Sequence, residues 1–177
     1  MTAEAGLAAL WLAATFSLLQ LALAALALTR AGAAEGGEQV RGAVRPVAIV
    51  QGVLALVSMA LLIRLFLVTD LSVKLVAANS HVAKPWLYKF AGAWGNHEGS
   101  MLLWVTILGL AGAAIAVLER RLREDTLIAT LGGQAAIALG FYAFLLFSSN
   151  PFERLSPAPP EGMGLNPLLQ DPGLAFH

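Results

Sequence analysis

The chain has no cysteine among its 177 residues, which excludes disulfides, thiolate metal ligation and any thiol relay carried by the chain itself. Any thiol chemistry belongs to a partner. Charge is scarce as well: Asp, Glu, Lys and Arg make up 12% of the residues, and 11 basic side chains balance 11 acidic ones. No basic field exists to collect nucleic acid, and that class of partner is set aside. There is no phosphate loop, no HExxH, no Ser or Cys nucleophile motif and no glycine fingerprint. The N-terminal block is expected to stay as a span and not to be a cleavable signal, because Glu4 is the only charged side chain ahead of it, where a signal peptide carries a basic region.

What the chain does have is apolar length. It is 58% hydrophobic with a mean hydropathy of +0.74, and the apolar residues come in blocks instead of a 3.6-residue stripe with a polar back. Four blocks, 6–28, 47–69, 101–118 and 126–147, reach the roughly 17 to 25 residues needed to cross about 30 Å of hydrocarbon. In lipid the backbone must satisfy itself, and none of the blocks alternates as a barrel strand would. The fold class expected is all-α, a polytopic helical membrane protein with four transmembrane helices.

Lys and Arg set the expected orientation, since positive charge is retained on the cytoplasmic side. Arg30, Arg41 and Arg45 lie in one connection and Arg120, Arg121 and Arg123 in another on the same side, while Lys74, Lys84, Lys89 and Arg154 are spread over much longer stretches opposite. Both termini are therefore expected outside, in the periplasm of a bacterium. The short connection after the third block makes spans three and four an antiparallel hairpin. Gly109 and Ala113 on one span, with Gly132, Ala136 and Gly140 on the other, would let these two backbones approach closely; an Ala-rich composition that scatters small residues everywhere accounts for them equally well.

The outer connection, 70–100, has its own organisation. Pro85 suits the first turn of a short helix on which Trp86, Phe90 and Trp94 recur every four residues, so an interfacial helix is expected there. It is either an aromatic belt at the headgroups or a flat apolar platform. The segment 148–177 holds six of the eight prolines and is expected to run extended over the outer surface. Phe152, Leu165, Leu168, Leu169, Leu174 and Phe176 make it more apolar than a solvating linker, which points to docking.

The polar box Trp94-Gly95-Asn96-His97-Glu98-Gly99-Ser100 abuts the third span directly. Two readings stand side by side: Glu98 orients the His97 imidazole, or Asn96 or Ser100 caps the span. His81 reads as a loop histidine. Arg64 reads as an anion contact or as a snorkelling side chain. All three histidines of the chain, His81, His97 and His177, fall on the expected outer side.

Three separated blocks carry a resemblance: Thr69 to Val73 with Val76 to Ser80; Trp94 to Trp104; and Ser149 to Arg154 continuing in Leu165 to His177. Together they resemble the N-terminal part of the CcmF family of cytochrome c haem lyase subunits. The resemblance implies a bacterial inner-membrane protein that receives haem from a periplasmic chaperone, CcmE, and presents it to the CxxCH thiols of apocytochrome c, alongside CcmH/CcmI-type maturation subunits. It also implies that His177, directly after Leu-Gln-Asp-Pro-Gly-Leu-Ala-Phe, is an axial haem ligand. Trp86, Trp94 and His97 are further candidates for contact with haem, with Tyr88, Lys84 and Lys89 nearby. The Pro-Pro after that histidine, the WWD segment, the second periplasmic histidine and the transmembrane histidines of the family are not in this sequence, so an N-terminal fragment is expected, inactive by itself. The other function carried forward is a membrane scaffold that docks maturation subunits without touching haem.

Overall fold

A computed structural model describes residues 1–29 and 37–164 of the chain. Among the described residues six helices follow one another: α1 Thr2–Leu28, α2 Gly37–Val68, α3 Lys74–Asn79, α4 Trp86–Gly92, α5 His97–Leu118 and α6 Glu124–Phe147. Four of them, α1, α2, α5 and α6, are long and apolar enough to cross a membrane. Each expected apolar block lies within or largely along one of these helices, because hydropathy of that length in lipid leaves the backbone no other way to satisfy itself.

The long helices form a ring in the order α1, α2, α5, α6, with α1 packed along both α2 and α6, and α2 along α5. Their interior separates into two apolar clusters. Ala3, Leu10, Leu62, Phe66, Leu102 and Leu145 belong to one, and Ala27, Val44, Ile128 and Leu131 to the other, at the opposite end. Between them lies a layer of buried Ser17, Gln20, Gln51 and Gln134.

Small residues work differently from the expectation. A Cβ on Gly52 would stand 2.6 Å from the Gly109 carbonyl oxygen and 3.0 Å from the Ala113 Cβ, so Gly109 and Ala113 bring α5 close to α2. A Cβ on Gly132 would stand 2.8 Å from the Ala24 Cβ, so Gly132 serves the α6 to α1 contact, while Gly140 meets nothing within 4 Å and Ala136 is exposed. The stripe thus closes the ring elsewhere and does not zip the α5/α6 hairpin. The reason is geometric: each helix of a ring has two neighbours, and loop connectivity specifies only one of them.

At one end of the bundle, α2 begins well before Val47, continuing back through Pro46 to Gly37. This puts Arg41 and Arg45 on a helix, where they reach the helix ends beside them. Arg41 Nη2 donates to the Ala27 carbonyl at 3.0 Å, and Arg45 Nη1 donates to the carbonyls of Ala116 at 2.7 Å and Glu119 at 3.1 Å. The last carbonyls of α1 and α5 have no intrahelical donor, and a guanidinium there complements the helix dipole. Arg41 Nη1 also meets Asp125 Oδ1 at 2.7 Å, which ties α2 to the start of α6.

Candidate functional site

The other end carries the polar box. Asn96 caps α5: its Oδ1 accepts the Gly99 amide at 2.7 Å, and its Nδ2 donates to the Gly92 carbonyl at 2.7 Å. One side chain therefore joins the end of α4 to the start of α5 and satisfies one of the orphan donors of the first turn. Gly99 allows no side chain, since a Cβ would fall 1.8 Å from the Ala93 carbonyl oxygen. Ser100 donates to the His97 carbonyl at 2.9 Å and does not cap the helix.

With the turn fixed, His97 and Glu98 point to different places. The His97 ring stands edge-on to Phe144, with centroids 5.4 Å apart, and its Nδ1 lies 3.3 Å from Ser149 Oγ. It sits at the mouth of an apolar groove of about 360 Å³ between α5 and α6, lined with Met101, Ile137, Gly140, Phe141 and Phe144. Glu98 lines a separate polar hollow of about 150 Å³ with Lys74, Asn79, Ser149 and Glu153. The partner on the His97 imidazole is thus the Ser149 hydroxyl and not Glu98, as expected for sequence neighbours on a helix, which do not share a face. Ser149 carried a legible signal, since it opens a motif block, but its distance from His97 in sequence hid the pairing.

The other candidates stand apart. Trp94 packs edge-on against Phe90, with centroids 4.7 Å apart and planes at 89°; perpendicular rings do not make the flat platform that the four-residue spacing suggested. Trp86 is 70% exposed. His81 accepts the Ala83 amide on Nδ1 at 3.2 Å, a turn within its own loop. Lys84 Nζ donates to the Asn79 carbonyl at 3.3 Å and Lys89 Nζ to the Val82 carbonyl at 3.0 Å. Burial pushes the Lys84 ammonium down to about 8, because desolvation disfavours its charged form. His177 lies outside the described residues.

The described parts of the motif blocks, scattered in sequence, converge; Leu165 to His177 lies outside the described residues. Lys74 N donates to the Glu153 carbonyl at 2.9 Å and Leu155 N to the Ser72 carbonyl at 2.8 Å, forming an isolated bridge between Val73 and Arg154. Arg154 donates through Nη2 to Glu4 Oε1 at 2.6 Å and through Nη1 to Ser72 Oγ, with Asp70 Oδ2 3.6 Å away. Lys74 Nζ meets Glu153 Oε2 at 2.9 Å, and this carboxylate holds the ammonium above its usual range. Phe152 fills the space over Gly6, where a Cβ would stand 2.3 Å from its ring. Farther on, Met163 N donates to the Ala77 carbonyl at 2.8 Å. The segment from Ser148 to Gly164 is non-helical and is strapped across α3, with Phe152 buried; of the other apolar residues expected to dock it, Leu165, Leu168, Leu169, Leu174 and Phe176 lie outside the described residues.

At the groove the described residues offer one imidazole and an apolar wall. They supply no second ligand and no cation for a propionate, and no cluster of three metal-ligating side chains occurs among the described residues. They do not make a complete haem site by themselves.

Four membrane-spanning helices with a strapped polar end define a polytopic helical membrane protein, and comparison with known proteins gives its class. The model of the family described as "Cytochrome C assembly protein" matches residues 94–177. The cytochrome c-type biogenesis protein Ccl1 of Rhodobacter capsulatus is 46% identical over all 177 residues, which are 26% of its own length. CcmF of Pseudomonas aeruginosa is 44% identical over 89% of this chain and 24% of its own length. A solved structure titled "Cytochrome c Heme Lyase CcmF" superposes with a TM-score of 0.77 at 26% identity, covering 86% of this chain and 25% of that one. The chain belongs to the CcmF-like family of cytochrome c biogenesis proteins. It spans about a quarter of the length of the relatives it matches.

Proposed function

We propose that this chain supplies the membrane scaffold and part of the haem-handling face of a cytochrome c haem lyase subunit in the bacterial inner membrane. The observation that carries the reading is similarity along the whole chain to proteins of cytochrome c biogenesis. In this reading haem is cargo. It arrives from a periplasmic chaperone of the CcmE type and is presented to apocytochrome c, with CcmH/CcmI-type subunits docked beside it, and His177 is an axial ligand to its iron. Trp86, Trp94 and His97 lie toward the same end and would contact the cargo or the proteins that deliver it. The strapped loops support this, since they hold the segment leading toward His177 against the same end of the bundle as His97.

A narrower reading, a docking scaffold that does not itself touch haem, is favoured by one observation: the described residues do not complete a haem site. A chimera separates the two. Residues 1–177 replace the matching quarter of Ccl1 in a Rhodobacter capsulatus strain lacking it, and covalently haem-stained cytochrome c is measured. Wild-type chimera is expected to restore the cytochromes, and His177→Gly to lose haem capture while accumulating normally in the membrane. A cavity beside the iron accepts a free base, so added imidazole is expected to restore the haem spectrum in part. Normal haem absorbance and cytochrome yield in the His177→Gly chimera would overturn the ligand assignment and leave the docking scaffold.

A further inference from the structure

The polar layer between the two apolar clusters is not used by the function above. Gln20 of α1, Gln51 of α2 and Gln134 of α6 are 0%, 0% and 8% exposed. Gln20 Nε2 donates to the Leu131 carbonyl and to Gln134 Oε1, both at 2.8 Å. Gln51 Nε2 donates to the Tyr142 hydroxyl at 2.5 Å. Three amide atoms remain buried without a partner: Gln20 Oε1, Gln51 Oε1 and Gln134 Nε2.

α5 makes room for two of these amides. A Cβ at Gly112 would stand 2.7 Å from Gln134 Oε1, and one at Gly109 3.1 Å from Gln51 Nε2. The two glycines are three residues apart, about 4.5 Å along the helix axis. Gln51 and Gln134 therefore meet the same turn of α5, one with a free acceptor and the other with a free donor.

We propose that this layer is a binding site for an internal water molecule, held between Gln134 Nε2 and Gln51 Oε1 in the middle of the span. Bulk solvent does not supply a missing partner at that depth, and a buried polar atom is costly until it has one. A water needs two to four polar partners, and the layer offers a free amide donor and free acceptors. The orientation of Gln20 is fixed, because the Leu131 carbonyl only accepts; Gln134 must then turn its oxygen toward Gln20 and its nitrogen away. Gln51 faces a hydroxyl, which both donates and accepts, so its amide is free to reverse. Reversal would leave two donors facing each other, which a water lone pair still bridges and a direct amide bond does not.

The test is water-selective NMR on the 177-residue chain in lipid nanodiscs with 15N-glutamine. The chain has five glutamines, Gln20, Gln39, Gln51, Gln134 and Gln170, so the side-chain amides are assigned by single replacements. The Gln134 amide is expected to show a cross-peak to a long-lived water. Gln51→Leu is expected to abolish that cross-peak and to leave the Gln20 amide shift in place, which reports that the bundle is intact. A resolved Gln134 amide without a water cross-peak in the unaltered chain, or one in contact with the Gln51 amide instead, would overturn the proposal.

Discussion

At the scale of single residues, glycine in this bundle has opposite meanings that the sequence does not distinguish. Gly52 faces the Gly109 backbone carbonyl at 2.6 Å from where its Cβ would be, whereas Gly133 meets nothing within 4 Å. A backbone oxygen does not swing aside, so Gly52→Ala must push α2 and α5 apart, an overpacking cost of about 1–3 kcal/mol. Gly133→Ala adds a methyl group on the open side and gains helix propensity, about 1 kcal/mol in the stabilising direction. Thermal unfolding of the two variants in the same detergent is expected to move in opposite directions from the unaltered protein. A Gly52→Ala variant as stable as the parent would show that the α2/α5 contact is looser than described. Thr69 is a further special position: its φ of 55° is left-handed backbone that a β-branched residue adopts only under strain, and it turns α2 into the motif that follows.

At the scale of elements, the start of α5 is the joint on which the candidate site depends. Asn96 holds it from both sides, bonding Gly99 ahead and Gly92 behind. Asn96→Ala is expected to cost about 1 kcal/mol as a lost N-cap, and the damage should be local. Hydrogen exchange is expected to rise in Gly99 to Leu102 and in α4 while α6 keeps its protection, and the His97 ring should lose its fixed place against Phe144. Ser100→Ala removes only a bond to the His97 carbonyl and is expected to leave exchange at Gly99 unchanged. Equal exchange in both variants would mean that packing, not the cap, fixes this turn. Both capping residues were visible in the sequence as alternatives. The choice between them needed the backbone, because a cap is defined by extended dihedrals at one position, and Asn96 has them at φ −141°, ψ 168°.

At the scale of the whole molecule, the ring of helices has two unlike ends. One carries Arg41 and Arg45 seated on helix carbonyls; the other carries His97, the strap and the Arg154 clasp. We propose that the arginine end is cytoplasmic, following the bias of basic residues. Reporter fusions after Arg41 and Arg123 are expected to be active only as cytoplasmic reporters, and those after Ser80 and Ala158 only as periplasmic ones. The reverse pattern at all four positions would invert the protein and take the haem-handling reading with it, since His97 and the strap would then face the cytoplasm. The clasp itself joins exposed side chains, and such pairs contribute little stability singly; their effect is to hold three segments in register.

The sequence by itself determined the number of spans, the helical class, the motif blocks and the family resemblance. Hydropathy is a local property, and a long apolar segment in lipid has the helix as its only self-satisfied form. Which helix faces which was decided by the tertiary structure. All sides of these helices are apolar, so periodicity carries no direction, and Gly109, Ala113 and Gly132 found partners on α2 and α1 that no spacing in the sequence specifies. The Ser149 hydroxyl on His97, the perpendicular Phe90 and Trp94 rings and the layer of glutamines between two apolar clusters belong to the same category. Each needs side chains from distant parts of the chain to arrive at one depth in the bundle, and that depth is set by how the helices stack.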